Sequence, residues 1–237
     1  MALLWSLGVV APLFILSTIA FGCVSLVAIF LDKTGAKAHA VGRAWSRSLL
    51  WIARVKVTVE GLDKLDPNQN YIFCPNHLSY MDTPVLFSNI GWPFRFLAKE
   101  ELFGIPFLGT HLKQAGHVAV PLQDPRASLR TLSKAAETVQ QKHISLLIFP
   151  EGGRSESGQL QEFKEGAAYL AIKAQVPIVP MALLGTREVL AMHSKEFHPG
   201  RVILRVGQPI VTAGLTIRDR ERITSEMRAQ TLEMRSC

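Results

Sequence analysis

Apolar residues follow two patterns along this chain of 237 residues, and the change falls near residue 55. Residues 2–31 contain no charged side chain at all. Beyond residue 55, short apolar runs alternate with longer amphipathic stretches. VKVTVEG (55–61) alternates with period two, as a half-buried strand does. YIFCP (71–75), FRFLA (94–98), HVAV (117–120), SLLIFP (145–150), PIVPMALLG (177–185) and RVILRVG (201–207) predict further strands. Helices are expected at 83–90, 99–115 with a break near Pro106, 125–143, 163–175 and 216–235, with Gly and Pro at nearly every transition. This alternation predicts an α/β fold with a mixed, largely buried sheet flanked by helices. The chain shows no repeat and no low-complexity linker, so residues 55–237 read as one α/β domain and residues 1–54 as an N-terminal segment.

That segment predicts a membrane anchor. A helix over its apolar run of about 30 residues would extend about 45 Å, and about 20 apolar residues cross the hydrocarbon. A signal peptide would carry a basic amino-terminal region and a shorter apolar core, and no Lys or Arg precedes this one. Pro12 is compatible with one tilted or kinked span, or with two short helices in a hairpin. Residues 36–54 predict a second helix, with Val41, Trp45, Leu49 and Ile52 at helical spacing and Arg43, Arg47 and Arg54 on another face. It would lie on the membrane surface or pack as an ordinary amphipathic helix on the domain.

Charge narrows the partners. Lys plus Arg number 26 against 19 Asp plus Glu, a net charge of +7 that suits nucleic acid or an anionic membrane equally. Lys33, Lys37, Arg43, Arg47, Arg54 and Lys56 directly follow the apolar run, which favours the membrane, with no nucleic-acid partner, and puts residues from 32 onward on the cytoplasmic face. Cys23, Cys74 and Cys237 have no disulfide or zinc-site spacing, in keeping with a reducing compartment.

Two segments carry candidate chemistry. In YIFCPNHLSYMDTP an apolar strand ends at Pro75, Asn76 and His77 follow on a loop, and a helix should start soon after. Ser79 and Asp82 have capping-box spacing. With His77 on the loop, the chain can fold back to bring its imidazole to the Asp82 carboxylate, a base held by an orienting acid. In SLLIFPEGGRSESG a second apolar strand runs into a loop with Glu151, Gly152, Gly153 and Arg154. The glycines permit a sharp turn and close approach to a ligand, and the guanidinium suits phosphate or carboxylate. The loop lacks P-loop spacing. Cys74 lies in an apolar strand, where a thiol is inert, and nothing like GxSxG surrounds Ser79. His39, His111, His117, His143, His193 and His198 show no HExxH or other ligand spacing, so no metal site is expected.

Together these segments resemble the PlsC-type glycerophospholipid acyltransferases. The family block NHxSxxD is matched by Asn76, His77, Ser79 and Asp82, and FPEGTRS appears as FPEGGRS, with Gly153 where threonine is usual. FRFLAKEELFGIPFLG (94–109), which includes Lys99, Glu100, Leu102, Pro106 and Gly109, and VPIVPMAL (176–183) match two further blocks in the family's order. The resemblance implies a glycerol-3-phosphate acyltransferase-like fold, with His77 as general base on an acceptor hydroxyl and Asp82 setting its tautomer. It also implies that Glu151 places the acceptor, that Asn76 and Ser79 help to bind it, and that Lys99 and Arg154 hold its phosphate. Backbone amides at Gly152 and Gly153 are candidate oxyanion donors. The partners would be the membrane, a lyso-phospholipid acceptor and an acyl-CoA or acyl-carrier-protein donor, with no cofactor, because the thioester is already activated. In one departure, GHVAVPL (116–122) puts Leu122 where many members carry arginine, although Arg126 and Arg130 follow closely. That leaves another lyso-lipid open as acceptor, beside the 1-acyl-sn-glycerol-3-phosphate the family suggests. A non-catalytic lipid-binding protein on the same fold is the reading from a different class.

Overall fold

The computed structural model describes residues 2–32, 34–105 and 108–236, so Lys33, Pro106 and Cys237 of the sequence reading lie outside the described residues. Seven strands, β1 (Val55–Glu60), β2 (Ile72–Pro75), β3 (Phe94–Lys99), β4 (Val118–Val120), β5 (Ser145–Leu147), β6 (Ile178–Leu184) and β7 (Gly200–Val206), form one sheet in the order β1-β7-β6-β2-β5-β3-β4. All neighbours run parallel except β6 and β7, so the expected mixed sheet is present. The central strands are apolar on both faces because helices cover both. On one face Phe73, Val179, Met181 and Leu204 pack with Val85 and Leu86 of α4 (Asp82–Asn89). On the other, Ile72, Cys74 and Leu146 pack with α6 (Pro125–Lys142), α7 (Gly166–Ala174) and α9 (Arg220–Ser236).

Local chemistry accounts for the helix limits. Pro125 sits in the first turn of α6, and the Asp124 side chain accepts from the amides of Arg126 and Ala127. Leu132, Ala135, Ala136 and Val139 then form its buried stripe. The expected 99–115 helix divides into a 3-10 turn, Glu100–Gly104, and α5 (Leu108–Gln114). Two expectations were too long. β5 ends at Leu147 because residues 148–150 leave the sheet to form the site, and α7 starts at Gly166 because Gln161 and Lys164 bond to that same loop. The short helix α8 (Thr186–Val189) was not foreseen.

The N-terminal segment is one continuous helical run, Ala2–Leu31, and not two short helices. It comprises α1 (Ala2–Trp5), a π-helical turn Ser6–Val10 and α2 (Ala11–Leu31). The π turn falls just before Pro12, which has no N–H to give the helical ladder. The hairpin forms instead between α2 and α3 (Ala36–Ile52), with Ser17 hydroxyl to Ser48 hydroxyl at 2.6 Å and Trp45 Nε1 donating to Thr18 at 3.2 Å. The run lies lengthwise on the domain. Near its start Phe14 packs edge-on to Phe197 at 4.9 Å, and near its end Ser25 bonds to His111 Nδ1 at 2.7 Å. Its outward face leaves Leu13, Ile15, Leu16, Ile19, Val27 and Phe30 exposed.

The helix α3 packs by only part of the stripe expected for it: Leu49 is buried, together with His39, Leu50 and a row of small residues. Ala38, Gly42 and Ser46 are buried, whereas Val41 and Trp45 turn toward α2. Its Leu50 and Ala53 join the same apolar cluster as β2 and β6, so packing continues across residue 54. A Cβ on Gly42 would collide with Cε1 of Phe87 on α4. Helix propensity alone would make Gly42→Ala stabilising by about 1 kcal/mol. Overpacking costs about 1–3 kcal/mol, so the variant should unfold at lower temperature in detergent, with partial relief by Phe87→Leu. A raised melting temperature would contradict this packing.

Candidate active site

Parallel pairing of β2 with β5, Ile72 opposite Leu146 and Phe73 opposite Leu147, brings their carboxyl ends side by side. Both chemical segments leave the sheet there, as ligand sites of open α/β sheets do. The Asn76 amide, fully buried, donates to the Leu183 carbonyl at 3.2 Å and accepts from the Leu183 amide at 2.6 Å. Glu151 Oε1 accepts from the His77 amide at 2.6 Å, and Oε2 from the Gln161 amide at 2.9 Å. The Ser155 amide donates to the His77 carbonyl at 2.8 Å. The two loops are thus tied together at His77.

The expected pairing of His77 with Asp82 is present. His77 Nδ1 lies 2.7 Å from Asp82 Oδ2, and the same oxygen accepts from the amides of Leu78 at 2.6 Å and Ser79 at 2.8 Å. An acceptor already facing two N–H groups favours a proton on Nδ1, which leaves Nε2 with its lone pair. Nε2 makes no hydrogen bond among the described residues and is not sealed from solvent. Half of the expected capping box forms. Asp82 takes the Ser79 amide, but Ser79 Oγ accepts from Met81 and donates to the Leu190 carbonyl at 2.7 Å, and the helix begins at Asp82 itself. Burial pushes the His77 imidazole below its ordinary range, and the hydrogen bond and charge of Asp82 oppose that shift. The ring also stacks on Phe149, centroids 3.7 Å apart and planes 14° from parallel. Sequence reasoning missed Phe149, although it stands two residues before Glu151.

Cations border the imidazole. The charges of Arg154 and Lys99 both act on His77. Lys99 is exposed at the end of β3, next to β5 in the sheet. Arg154 is half-buried, with Nε donating to the Ser79 carbonyl at 3.2 Å. Asn76 and Ser79 are fully buried, and their side chains bond to the backbone at Leu183 and Leu190. Both Glu151 oxygens hold backbone amides, those of His77 and Gln161, and burial pushes its carboxyl above the usual range. The Gly152 amide already donates to the Phe149 carbonyl, whereas the Gly153 amide has no partner among the described residues. Leu122 is partly exposed, and Arg126 and Arg130 are exposed on α6. Cys74 is fully buried, which raises its thiol pKa. His39 and His117 are buried, and burial lowers them to about 4 and about 3. Among the described residues no group of three or more His, Cys, Asp or Glu could hold a metal ion.

Comparison with known proteins bears on the family and the fold. A family model described as acyltransferase matches residues 56–184. A 1-acyl-sn-glycerol-3-phosphate acyltransferase of Cocos nucifera is 32% identical over 72% of this chain and 55% of its own length. The alpha form of Homo sapiens is 29% identical over 73% of this chain and 62% of its own. The chain thus spans about half to three-fifths of the curated relatives it matches. The crystal structure of the 1-acyl-sn-glycerophosphate acyltransferase PlsC from Thermotoga maritima superposes with a TM-score of 0.81 over 100% of this chain and 99% of that one, at 23% identity. That likeness establishes the fold.

The Glu151 tie can be tested apart from any activity. Glu151→Ala strands the His77 and Gln161 amides, and an unsatisfied buried donor costs about 1–3 kcal/mol. Denaturant unfolding should register that loss, and Glu151→Gln, which keeps one carbonyl acceptor, should recover part of it. A Glu151→Ala protein as stable as wild type would remove the tie.

Proposed function

The chain belongs to the acyltransferase family, and on that premise we propose that it transfers a fatty-acyl group from a thioester, acyl-CoA or acyl-carrier protein, to the free hydroxyl of 1-acyl-sn-glycerol-3-phosphate, making phosphatidate. The observation that carries this reading is the imidazole of His77, clamped at Nδ1 by Asp82 with Nε2 open, beside two cations. In the reaction Nε2 removes the hydroxyl proton as the oxygen attacks the thioester carbonyl. The C–S bond then breaks, and the imidazolium returns the proton to the departing thiolate. Arg154 and Lys99 hold the acceptor phosphate, and the Gly153 amide is the donor left for the oxyanion. Asp82 opposes the burial that disfavours the imidazolium. Asn76, Ser79 and Glu151 position the loop.

A different lyso-lipid acceptor is the second reading, favoured by Leu122 at the arginine position. Purified protein offered a panel of lyso-lipids with labelled acyl-CoA separates the two.

The domain works at a membrane, held by the outward apolar face of residues 2–31. Contacts to the domain at Phe14 and Ser25 support a helix lying along one leaflet over a helix that crosses it. The exposed Lys37, Arg47, Arg54 and Lys56 suit the anionic cytoplasmic leaflet, at about 1 kcal/mol each near the surface. We take residues 55–237 as the catalytic domain and 1–54 as its membrane-binding part.

Four outcomes follow. His77→Ala should lower acyl transfer about 10²-fold or more on folded protein, and near-normal turnover would end the base assignment. The His77 pKa is depressed, so it is neutral at pH 7, and kcat/KM should fall only as pH drops below about 6.5. In Asp82→Asn the raising influence is gone, so the residual activity should have its acidic limb at still lower pH. A limb that moves up instead would contradict the sign. In sealed right-side-out vesicles, added protease should leave the catalytic domain intact, and cleavage before permeabilisation would reverse the orientation.

A further inference from the structure

Arg154 is held by two contacts that the sequence reading did not anticipate, and both come from the His77 loop. Its Nε donates to the Ser79 carbonyl at 3.2 Å, and its Cζ lies 4.2 Å from the centroid of the Tyr80 ring. Arg95, Arg187, Arg220 and Arg235 each direct a terminal nitrogen to a protein carbonyl. Among the described residues Arg154 forms no ion pair with a carboxylate, and its Nη1 and Nη2 have no acceptor. Tyr80 is 52% exposed, an unusual state for an aromatic ring directly beside a buried dyad, and its hydroxyl makes no hydrogen bond among the described residues.

The geometry points to Tyr80 as a positioning residue for acceptor recognition: its ring supports one face of Arg154 while Ser79 holds Nε, so that both terminal nitrogens present to the acceptor phosphate. The inference rests on the reading of Arg154 as a phosphate ligand. A guanidinium free on all sides samples many rotamers, and a planar phosphate contact needs one of them. Ring and carbonyl together fix the plane of the guanidinium. They belong to residues 79 and 80, within a few bonds of His77, so the phosphate edge is held in register with the base. Cation–π contact is electrostatic attraction to the ring face, so the ring is required and the hydroxyl is not.

The test is equilibrium binding of lysophosphatidate in detergent with no acyl donor present, so that it stands whether or not acyl transfer is the reaction. Wild type, Tyr80→Phe, Tyr80→Leu, Arg154→Ala and the Tyr80→Leu, Arg154→Ala double variant are compared, each shown folded by its thermal transition. Tyr80→Leu should weaken binding about 3- to 20-fold, the range that cation–π energies correspond to. Tyr80→Phe should stay within about twofold of wild type. The double variant should bind no more weakly than Arg154→Ala alone, because the ring acts through that arginine. Affinity for a monoacylglycerol, which has no phosphate, should change with neither residue. In steady state Tyr80→Leu should raise the KM for lysophosphatidate and leave the KM for acyl-CoA unchanged. Wild-type binding by Tyr80→Leu, equal losses in Tyr80→Phe and Tyr80→Leu, or a Tyr80→Leu factor that persists in the double variant would each overturn the proposal. An Arg154→Ala protein with undiminished lysophosphatidate affinity would overturn both it and the phosphate reading. Any of the other three would leave the phosphate reading intact.

Discussion

One oxygen of one carboxylate organises this site. Asp82 Oδ2 accepts from His77 Nδ1 and from the amides of Leu78 and Ser79, and the residue is fully buried. A buried carboxylate is costly unless donors surround it, and removing a partner from such an arrangement costs about 3–5 kcal/mol. Here the donors are local, because the chain from 77 to 82 wraps around the group. Asp82 also opens α4, where the helix dipole favours negative charge by about 0.3–1 kcal/mol. The wrap that satisfies Oδ2 fixes the imidazole as well, while Oδ1 is buried with no hydrogen-bond partner among the described residues. Structural and chemical demands therefore fall on the same atoms.

Sheet topology supplies what that loop cannot provide for itself. Three ties of long sequence separation hold it: Asn76 to Leu183, Glu151 to the His77 amide, and Ser79 to the Leu190 carbonyl. The first two connect the ends of β2, β5 and β6, which are neighbours in the sheet, and the third reaches the end of α8. A base whose orientation is settled before substrate arrives loses little to reorganisation in the transition state. Phe149 completes the seat by stacking on the ring, which leaves Nε2 as the open edge of the imidazole.

Much of this was legible in the sequence, for identifiable reasons. Strand periodicity is local, so all seven strands fell where apolar runs did, and the His77–Asp82 pairing depends on a loop of six residues. What escaped depends on partners far along the chain. Acceptor contacts for Asn76, Ser79 and Glu151 came from the family resemblance, while the backbone groups these side chains bind, 74 to 111 residues away, left no mark in the sequence. The face of α3 was legible only in part. Leu49 is buried as expected, but Val41 and Trp45 turn toward α2, and the domain also receives Ala38, Gly42 and Ser46, with Gly42 leaving room for Phe87. Tyr80 and Phe149 lie within the recognised motifs, yet stacking geometry leaves no mark in spacing.

The account rests on the protonation of a single ring. With Asp82 accepting at Nδ1 and burial disfavouring the charged form, His77 should be a neutral imidazole at pH 7, its proton on Nδ1 and its lone pair on Nε2. Nitrogen-15 NMR of the His77 ring in the full-length protein in detergent reports this directly, with His77→Gln used to assign the signals. The account predicts at pH 7 a protonated Nδ1 and an unprotonated Nε2, the latter shifting on acidification only below the ordinary histidine range. An imidazole carrying its proton on Nε2, or an imidazolium persisting at pH 7, would contradict it.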